Sequence, residues 1–368
     1  MTLSRRKMIG LVGGGIVLAA TASAGGFLTT RRPTRALAPW SIAGAYTELR
    51  MKALSYAILA PNPHNRQPWV AELHGEDQLV IYRDKTRDLP ETDPFDRQLT
   101  IGMGCFLELL RMAAAEDGFA LQTELFPQGE DGPVAVIQFR QGAREDALFA
   151  HVFDRHTNRN GYEDRPIEAA AIATLAEFAT IKSTQADVSA LRTLTWQAME
   201  IEMTTRHVMK ESVDLMRIGK AEIEANPDGI SLGGPFLESL KLVGLLRRED
   251  QLDATSSGFK QARDMIQKAM NATNAYAVIT SKGNTRVDQI DAGRDWIRLH
   301  LAATGQGLAM QPVSQALQEY PEMAEHYAQV HGLLAAPGET VQMLGRVGYG
   351  PAIDASPRWP LEARIIHG

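Results

Sequence analysis

The densest group of polar side chains that could bind a ligand lies in the segment Ala60-Pro-Asn-Pro-His-Asn-Arg-Gln-Pro-Trp69. Its prolines fix φ and remove backbone donors, so the sequence predicts a rigid loop rather than a helix here. His64, Asn65 and Gln67 lie in this loop, and amide side chains suit the edge of a planar heterocycle that alternates N–H and C=O groups. From the residues alone, a capped helix end with a decorated turn is an equal alternative.

A second group lies in Arg155-His-Thr-Asn-Arg-Asn-Gly-Tyr162. Arg155 and Arg159 are four residues apart, with Thr157 between them. Two guanidinium groups can bind a dianionic phosphate in a forked geometry while the threonine hydroxyl donates a further hydrogen bond. The spacing therefore predicts a phosphate site, and the alternative is a solvated basic turn that pairs with neighbouring carboxylates.

Several other chemistries lack their defining residues. The single cysteine, Cys105, excludes an intrachain disulfide and a cysteine-based metal cluster, and its apolar helical surroundings predict core packing. The remaining histidines show no ligand spacing with carboxylates, so we predict surface or packing positions for them and no metal site. We assign no catalytic residue. The Gly-rich dinucleotide fingerprint, the P-loop and Gly-x-Ser-x-Gly are absent from the sequence.

The bulk composition is that of a globular protein. The 368 residues are 44% hydrophobic and 22% charged, which suffices for two or three domains with a large core. The formal net charge of -6 gives no electrostatic reason to expect a nucleic-acid partner. We therefore expect no nucleic-acid partner.

Hydrophobic periodicity and turn residues predict the elements that position the two polar segments. We expect a helix at 42–60, a hairpin at 69–83, a helix at 97–117, strands at 120–125 and 134–139, a mostly helical stretch at 145–270, a strand at 276–280, a helix at 287–304 and a strand at 341–347. Residues 31–39 are expected to form a linker, so mature structure should begin near Trp40.

Two parts of the chain match each other at a shift of 189 positions. Gly104, Leu110, Ala113-Ala114 and Gly118-Phe-Ala-Leu-Gln122 align with Gly293, Leu299, Ala302-Ala303 and Gly307-Leu-Ala-Met-Gln311. Each copy is a predicted helix that ends at glycine and passes directly into a strand. The match favours an internal duplication, in which two halves of one α+β fold share an interface that can hold a ligand.

The order of these motifs resembles the Acg-like branch of the nitroreductase family. The loop pattern Ala-Pro-x-x-x-Asn-x-Gln-Pro-Trp is similar to the family's flavin-contacting loop, and the 155–162 segment is similar to its FMN phosphate segment. Gly293 to Ser314 and Leu344-Gly-Arg-Val-Gly-Tyr-Gly350 also match the branch. The resemblance extends from about residue 49 to residue 350.

The resemblance implies FMN as the cofactor and assigns it a set of binding residues. These are His64, Asn65, Gln67, Pro68, Trp69, Gln311, Pro312, Val313 and Ser314 around the ring, and Arg155, Thr157, Asn158, Arg159 and Arg346 around the phosphate. A backbone N–H of the 311–314 segment would bond near flavin N5 and tune hydride acceptance. Two positions depart from the pattern, because Asn62 replaces a small serine and His156 replaces the second arginine.

The resemblance also implies an internally duplicated nitroreductase-like α+β fold, with mixed antiparallel sheets flanked by helices. Two subunits of an ordinary homodimer would be fused in one chain, so we expect a monomer that acts as a pseudo-dimer. The predicted halves are residues 40–145 and 146–368. A helical lid insertion is expected around 221–250, where prolines and glycines interrupt the helical pattern.

The N-terminus predicts export. Arg5-Arg6 precedes an apolar stretch from Met8 to about Leu28 that ends in small residues, which is the pattern of a twin-arginine secretory signal. We therefore expect residues 1–39 to be signal and linker and the protein to be periplasmic. The alternative is an uncleaved signal that tethers the protein to the membrane, since about 20 apolar residues can span a bilayer.

The resulting hypothesis is an FMN-dependent oxidoreductase that transfers a hydride or electrons to a small nitro- or quinone-like acceptor. The alternative is a protein that stores or sequesters FMN with little turnover. Because NAD(P)H is cytoplasmic, an exported enzyme would need another electron donor.

Overall fold

The computed structural model describes residues 31–366, so the predicted signal at the N-terminus lies outside the described residues. The helices are α1 (Thr34–Ile42), α2 (Leu49–Ala57), α3 (Arg97–Glu116), α4 (Ala169–Leu175), α5 (Gln185–Thr204), α6 (Arg206–Asp214), α7 (Lys220–Ala225), α8 (Pro235–Leu242), α9 (Ser257–Asn271), α10 (Arg286–Gly305) and α11 (Ala324–Leu334). None of these helices is long and apolar enough to cross a membrane.

A mixed sheet, antiparallel except for one edge strand, and an antiparallel sheet organise the chain, together with a small parallel pair. The strands are β1 (Trp69–His74), β2 (Gln78–Arg83), β3 (Phe119–Leu125), β4 (Ala135–Gln141), β5 (Thr180–Lys182), β6 (Met216–Ile218), β7 (Ile230–Leu232), β8 (Ala275–Ser281), β9 (Ala309–Pro312), β10 (Thr340–Gly348) and β11 (Ile365–Ile366). The first sheet has the order β11-β1-β2-β4-β3 and the second the order β5-β8-β10-β9, while β6 pairs with β7. The predicted α+β class with sheets flanked by helices is confirmed.

The strand order shows the duplication directly. Both β1-β2-β4-β3 and β5-β8-β10-β9 are antiparallel throughout, and a long helix connects the second strand to the third in each. These helices, α3 and α10, have 20 residues each. Gly118 and Gly307 follow them with φ of +79° and +69°, a conformation that glycine adopts without a Cβ penalty.

The two long helices cross each other at the glycines that the self-comparison aligned. A Cβ on Gly104 would lie 2.9 Å from Gly293 Cα, and a Cβ on Gly293 would lie 2.8 Å from Gly104 Cα. The further neighbours are also exchanged, because Gly104 faces the carbonyl of Ile290 and Gly293 faces the carbonyl of Ile101. Such reciprocal contacts are the signature of a two-fold interface, here within one chain.

The main hydrophobic core surrounds this crossing and includes residues of both halves. Cys105 lies in it at 1% exposure, and its thiol donates to the carbonyl of Gly293 over 3.1 Å, so the predicted core packing is confirmed. A second core cluster lies where α5 packs against the second sheet. The pseudo-two-fold interface is therefore interior and not a surface contact.

Chain segments cross between the halves after each sheet. Following β4, the segment around Thr157 forms a parallel bridge with Met310 of the second sheet. Following β10, the tail returns to the first sheet, where β11 pairs with β1 in parallel. These crossings bring the two predicted cofactor segments towards the interface between the halves.

The N-terminal part of the prediction is wrong in two respects. The segment expected as a linker contains α1, which runs to Ile42 with Pro39 inside it. The helix expected over 42–60 is limited to α2, because the chain breaks at Gly44 with φ of +81° and α2 starts only after its cap at Glu48. The other predicted helices and strands outside the irregular middle lie within a few residues of the observed ones.

Candidate functional site

The loop that follows α2 has an unusual backbone. His64, Asn65 and Gln67 adopt φ of +46°, +50° and +51°, in the left-handed region that non-glycine residues rarely enter. Each such residue costs roughly 1–3 kcal/mol unless its surroundings hold it, and such conformations cluster at functional sites. The contacts that hold this loop therefore define the architecture of the candidate site.

Two buried arginines hold the start of the loop. Arg358 donates to the carbonyls of residues 58–60 at 2.9–3.0 Å and to Asn65 Oδ1 at 2.8 Å. Arg155 donates to the carbonyl of Leu59 at 3.1 Å. These carbonyls follow the C-terminus of α2, where cations are favoured by the helix dipole. Arg155, predicted at the phosphate, thus lies below the loop, and Arg358 is a site residue that the sequence analysis missed.

Both loop amides predicted at the flavin edge are engaged by the protein. The Gln67 side chain is fully buried, donates to the carbonyl of Pro227 at 2.7 Å and accepts from the Trp359 N–H at 2.9 Å. Asn65 Nδ2 donates to the carbonyl of Pro357 at 2.9 Å. These amides therefore fix the loop, and any ring contact from it would come from His64 or from backbone groups.

Asp228 connects the same loop to the predicted lid region. Its carboxylate is 5% exposed and accepts from Arg87 at 2.9 Å and from Arg217 at 2.8 Å, while Arg66 Nη1 lies 3.8 Å away. The backbone N–H of Gly229 also donates to the carbonyl of Asn65 at 3.4 Å. Hydrogen bonds and ion pairs therefore join the cofactor loop to the 226–229 segment.

The structure brings the phosphate segment next to β9. The Asn158 N–H donates to the carbonyl of Met310 at 2.9 Å, and Asn158 Nδ2 donates to the carbonyl of Pro351 at 2.7 Å. Thr157 is half-buried beside the same strand. Residues far apart in sequence therefore meet at the edge of the second sheet, as the predicted site requires.

Arg346 is fully buried beneath this segment. It donates to Gln311 Oε1 at 2.7 Å and to the carbonyls of Ala269 and Asn160 at 2.7 and 2.6 Å. Its guanidinium also stacks on the Tyr162 ring at 4.1 Å. Arg346 therefore supports the segment and supplies positive charge from below, with its donors directed to protein acceptors.

Arg159 is the cation of this set that faces outward. Within residues 31–366 it forms no hydrogen bond or ion pair, and its side chain is accessible to solvent. Burial nevertheless lowers its pKa, and repulsion from Arg346 lowers it further, while Tyr162 opposes the change. Arg159 is therefore an accessible cation that lies beside a second, buried cation.

His64 faces the same charged region. Its Nε2 shares a hydrogen bond of 3.0 Å with Ser212 Oγ on α6. Burial lowers the pKa of His64 to about 4, and repulsion from Arg159 and Arg66 contributes. The imidazole is therefore neutral at pH 7, and Ser212 is a second residue that the sequence analysis did not anticipate.

No carboxylate forms an ion pair with Arg155, Arg159, Arg346 or Arg358 in the described chain, although most other described arginines have such a pair. Burying guanidinium groups without counter-charge is costly, so this cluster favours an anion. Burial and repulsion from Arg155 and Arg358 also lower the pKa of His156 to about 4. The histidine that replaces the family's second arginine thus adds no charge at pH 7.

The predicted ring residues of the second half, Gln311 to Ser314, lie at the end of β9 and directly after it. The Val313 N–H donates to the carbonyl of Leu344 at 2.9 Å, so it is not available near a flavin N5. Ser314 Oγ donates to Gln98 Oε1 at 3.2 Å, and Pro312 pairs with Gly345. The Ser314 backbone N–H has no partner among the described residues, which makes it the available donor of this segment.

Pro68 and Trp69 lead from the loop into β1. The carbonyl of Pro68 accepts from the Asp84 N–H at 2.7 Å. Trp69 stacks on Phe106 with 5.0 Å between ring centroids, and its buried indole N–H has no partner in the described residues. Trp69 thus anchors the loop in the core of the first half.

Among the described residues, no group of three or more His, Cys, Asp or Glu side chains could hold a metal ion. Cavities of 540 and 210 Å³ lie elsewhere. The larger is lined by Arg31, Thr34, Arg35, Lys220, Ala221 and Glu224, and the smaller by Met203, Thr204, Arg206, Met209, Leu252, Ala254 and Phe259. Neither cavity contains a predicted cofactor residue. A ligand at the predicted site is therefore supported by the unpaired arginines and the free Ser314 N–H, and not by a cavity.

Comparison with known proteins confirms the sequence resemblance. The chain is 26% identical over 323 residues to a protein of Mycobacterium tuberculosis named "Putative NAD(P)H nitroreductase", covering 85% of this chain and 88% of the relative. Another M. tuberculosis protein, "Putative NAD(P)H nitroreductase acg", is 31% identical over 120 residues, which are 30% of this chain and 35% of that protein. No family model matches the chain.

Similarity to solved structures is weak. The FMN-dependent nitroreductase NfnB of Mycobacterium smegmatis, solved in complex with NADPH, aligns with 57% of this chain and 92% of its own, with 16% identity and a TM-score of 0.36. At that score the alignment carries no weight. The duplicated architecture is therefore established by the strand order and the helix crossing of this chain.

Proposed function

We propose that this relative of proteins named as NAD(P)H nitroreductases is an FMN-dependent oxidoreductase whose cofactor lies between the two halves. The observation that carries the proposal is Arg159, an accessible guanidinium without a protein partner in a region of unpaired arginines. A flavin phosphate would supply the missing negative charge. Among the possible anionic ligands, FMN is supported by the order of the motifs, and the relatives' names support a nitroreductase.

The residues present fit that group. Arg159 would bind the phosphate directly, while Arg346 and Tyr162 hold the backbone of the segment beneath it. The Ser314 N–H would donate to the ring, and the rigid loop with His64 would form the opposite wall. When bound, FMN supplies hydride or electron transfer to an organic acceptor.

In the proposed reaction, the protein positions FMN and shields it from water. Arg358 and Gln67 fix the loop to the C-terminal tail and to Pro227, so that wall is preorganised. His64 remains neutral at pH 7 and can donate or accept one hydrogen bond without adding charge. In agreement with the sequence analysis, we assign no residue as an acid–base catalyst.

FMN titration of the purified full chain tests the proposal. The Arg159→Met variant should bind FMN about 10- to 100-fold more weakly, because a charge-assisted phosphate contact contributes about 1.5–3 kcal/mol. Riboflavin, which lacks the phosphate, should bind equally to both proteins. Arg144→Met is the matched control, since Arg144 is an exposed arginine without an ion pair.

A purified protein without a flavin absorption spectrum, and without FMN binding on titration, would reject the cofactor. If FMN binds and Arg159→Met binds it as tightly as the unchanged chain, the proposed phosphate position is wrong. The change to methionine should leave stability nearly unchanged, because Arg159 has no protein hydrogen bond to lose.

A nitro- or quinone-like acceptor is the substrate class we propose, and reduction of bound FMN followed by rapid mixing with such acceptors tests it. Fast reoxidation by a nitroaromatic or a quinone, with turnover when a donor is present, supports an enzyme. Bound FMN that neither NADPH nor dithionite reduces quickly would instead indicate a protein that stores or sequesters it.

We also propose that residues 221–250 act as a lid over the cofactor. Pro227, Asp228 and Gly229 already contact the loop, which supports this role. Limited proteolysis should cut this region more slowly when FMN is bound. Equal rates with and without FMN would reject a lid.

Export to the periplasm and a monomeric pseudo-dimer are further proposals. The Arg5-Arg6 pair before an apolar stretch supports export, and Arg5→Lys with Arg6→Lys should retain the protein in the cytoplasm. The internal two-fold interface supports a monomer, which light scattering of the purified chain tests. A stable dimer in solution would reject the monomer.

A further inference from the structure

The largest concentration of exposed apolar side chains in the described residues lies on α8 and the turn after it. Phe236, Leu242, Val243 and Leu245 are exposed by 72%, 74%, 68% and 68%. The other exposed large hydrophobic residues of the described chain are scattered singly. Because Phe236 and Val243 are seven residues apart, they lie on the same side of the helix. Such a patch marks an interaction surface rather than chance exposure.

The opposite side of α8 is polar and faces the protein. Glu238 is 7% exposed and accepts from the Lys220 N–H at 2.7 Å and from Arg31 Nη1 at 3.2 Å. Lys241 Nζ donates to the carbonyl of Ile218 at 2.8 Å. A surface helix of a soluble protein normally has its apolar side inward, so the orientation of α8 is reversed. This orientation exposes an apolar face that the rest of the described chain does not cover.

The beginning of the described chain is fixed beside this face. Arg31 contacts α8 through Glu238, and Arg35 binds Glu224 of α7 with its backbone N–H at 3.0 Å and its Nε at 2.7 Å. The sequence directly before Arg31 is the apolar stretch from Met8 to about Leu28. The most apolar segment of the sequence therefore joins the structure next to its most apolar surface.

We infer that residues 236–245 form a lipid-docking face, which enters the interfacial layer of a bilayer when the N-terminal segment lies in the same membrane. Large apolar side chains flanked by cations are the chemistry of interfacial helices. Arg247 is exposed at the edge of the face, where it can meet lipid phosphates, whereas Lys241 is paired with Glu222 at 2.6 Å. The inference does not depend on FMN, because residues 236–245, although part of the proposed lid, are not among the residues proposed to bind FMN.

A fluorescent probe on single introduced cysteines of the full chain tests the docking face. Val243→Cys carries the probe at the face, and Leu333→Cys, exposed by 51% on α11, is the matched control. Cys105 is buried, so labelling is confined to the introduced thiol. Both proteins are reconstituted in phosphatidylglycerol-containing vesicles with or without lipids that carry a nitroxide near the headgroup.

We expect a blue shift and nitroxide quenching for the probe at position 243 and neither effect at position 333. A probe at 243 that stays water-exposed and unquenched in vesicles overturns the inference. A probe that is already shielded in detergent without vesicles also overturns it, since the occupant is then the chain's own N-terminal segment or a second copy. Dependence of that shielding on protein concentration distinguishes those two occupants.

Discussion

The two halves share one strand order but differ in the connection between their first two strands. In the first half, β1 and β2 are joined by the tight turn at 75–77. In the second half, β5 and β8 are joined by residues 183–274, which contain five helices and the β6–β7 pair. Ser212, Asp228 and the lipid-docking face all belong to this excursion. The duplication thus provides the scaffold, and the excursion provides what distinguishes one half from the other.

Equivalent strand positions show the same difference on a smaller scale. Gln122 of β3 pairs with Gln138 in the first half, whereas the equivalent Gln311 of β9 pairs with Arg346 in the second. The first pair lies on an accessible sheet, while Arg346 is completely buried beneath the 155–162 segment. The two-fold scaffold contains two equivalent strand pairs, and of these only the pair in the second half contains a cation. We therefore expect one cofactor per chain.

The largest effect should come from breaking the symmetry axis itself. Gly104→Val places branched carbons against backbone of α10, so the two long helices must separate. We expect a loss of about 3 kcal/mol in the free energy of unfolding, measured by urea denaturation, because overpacking against backbone cannot be relieved by a rotamer change. Gly332→Ala is the control, since a Cβ there meets nothing within 4 Å and should stabilise α11 by about 0.5–1 kcal/mol. Equal stability of Gly104→Val and the unchanged chain would show that the crossing is not a close-packed axis.

The scaffold was predictable because its signals are local. The helix at 97–117 and that at 287–304 follow from apolar periodicity and a terminal glycine, and the matched Gly104 and Gly293 lie at the observed crossing. The helix expected over 42–60 is too long because the chain turns at Gly44, which has a positive φ and no room for a Cβ beside Tyr56. Periodicity alone does not record such a break.

The predicted site residues have partners that the sequence did not indicate. The 155–162 segment does meet the second sheet at Met310, but individual side chains of both segments bind other groups. Gln67 and Asn65 bind carbonyls of the distant residues Pro227 and Pro357, and Arg155 caps α2. Arg358 lies beyond the matched motifs, in a tail without any repeat or pattern. Contacts between residues about 300 positions apart leave no local signal in one sequence.

The second largest effect concerns the excursion. Asp228→Asn removes the charge shared by Arg66, Arg87 and Arg217 and leaves three cations together, so we expect a loss of about 2–3 kcal/mol in stability. Limited proteolysis should also cut residues 226–252 faster while the first sheet stays protected. Asp131→Asn, at a fully exposed carboxylate, should change neither measurement. If the Asp228→Asn protein is cut at the same rate as the unchanged chain, Asp228 does not hold the 226–252 segment against the cofactor loop.

Exchanging the paired residues of the two sheets tests the contrast between the halves. Arg346→Gln gives the second half the pair of the first, and it leaves the carbonyls of Asn160 and Ala269 without donors, at about 1–3 kcal/mol. FMN affinity should fall with it. Gln138→Arg is the reverse change on the first sheet and should shift stability by less than about 0.5 kcal/mol. Acquisition of a second bound FMN by Gln138→Arg would mean that the strand pair alone makes a site.

Acid should affect the second half's site before the rest of the protein. The folded-state pKa of His64 is about 4, below the ordinary value of 6.5, so the unfolded chain binds more protons between these values. The stability contributed by neutral His64 is thus complete above pH 6.5 and is lost progressively as pH falls towards 4. His64→Asn, which tolerates the positive φ, should reduce this loss in urea titrations at pH 7 and pH 4.5, whereas His74→Asn on the exposed hairpin should not. Bound FMN should also reduce it, because a phosphate beside Arg159 favours the protonated imidazole. If acid destabilises the His64→Asn protein as much as the unchanged chain, the acid-sensitive group lies elsewhere. The surroundings of His64, with Arg159 and Arg66, are then not what makes the protein sensitive to acid.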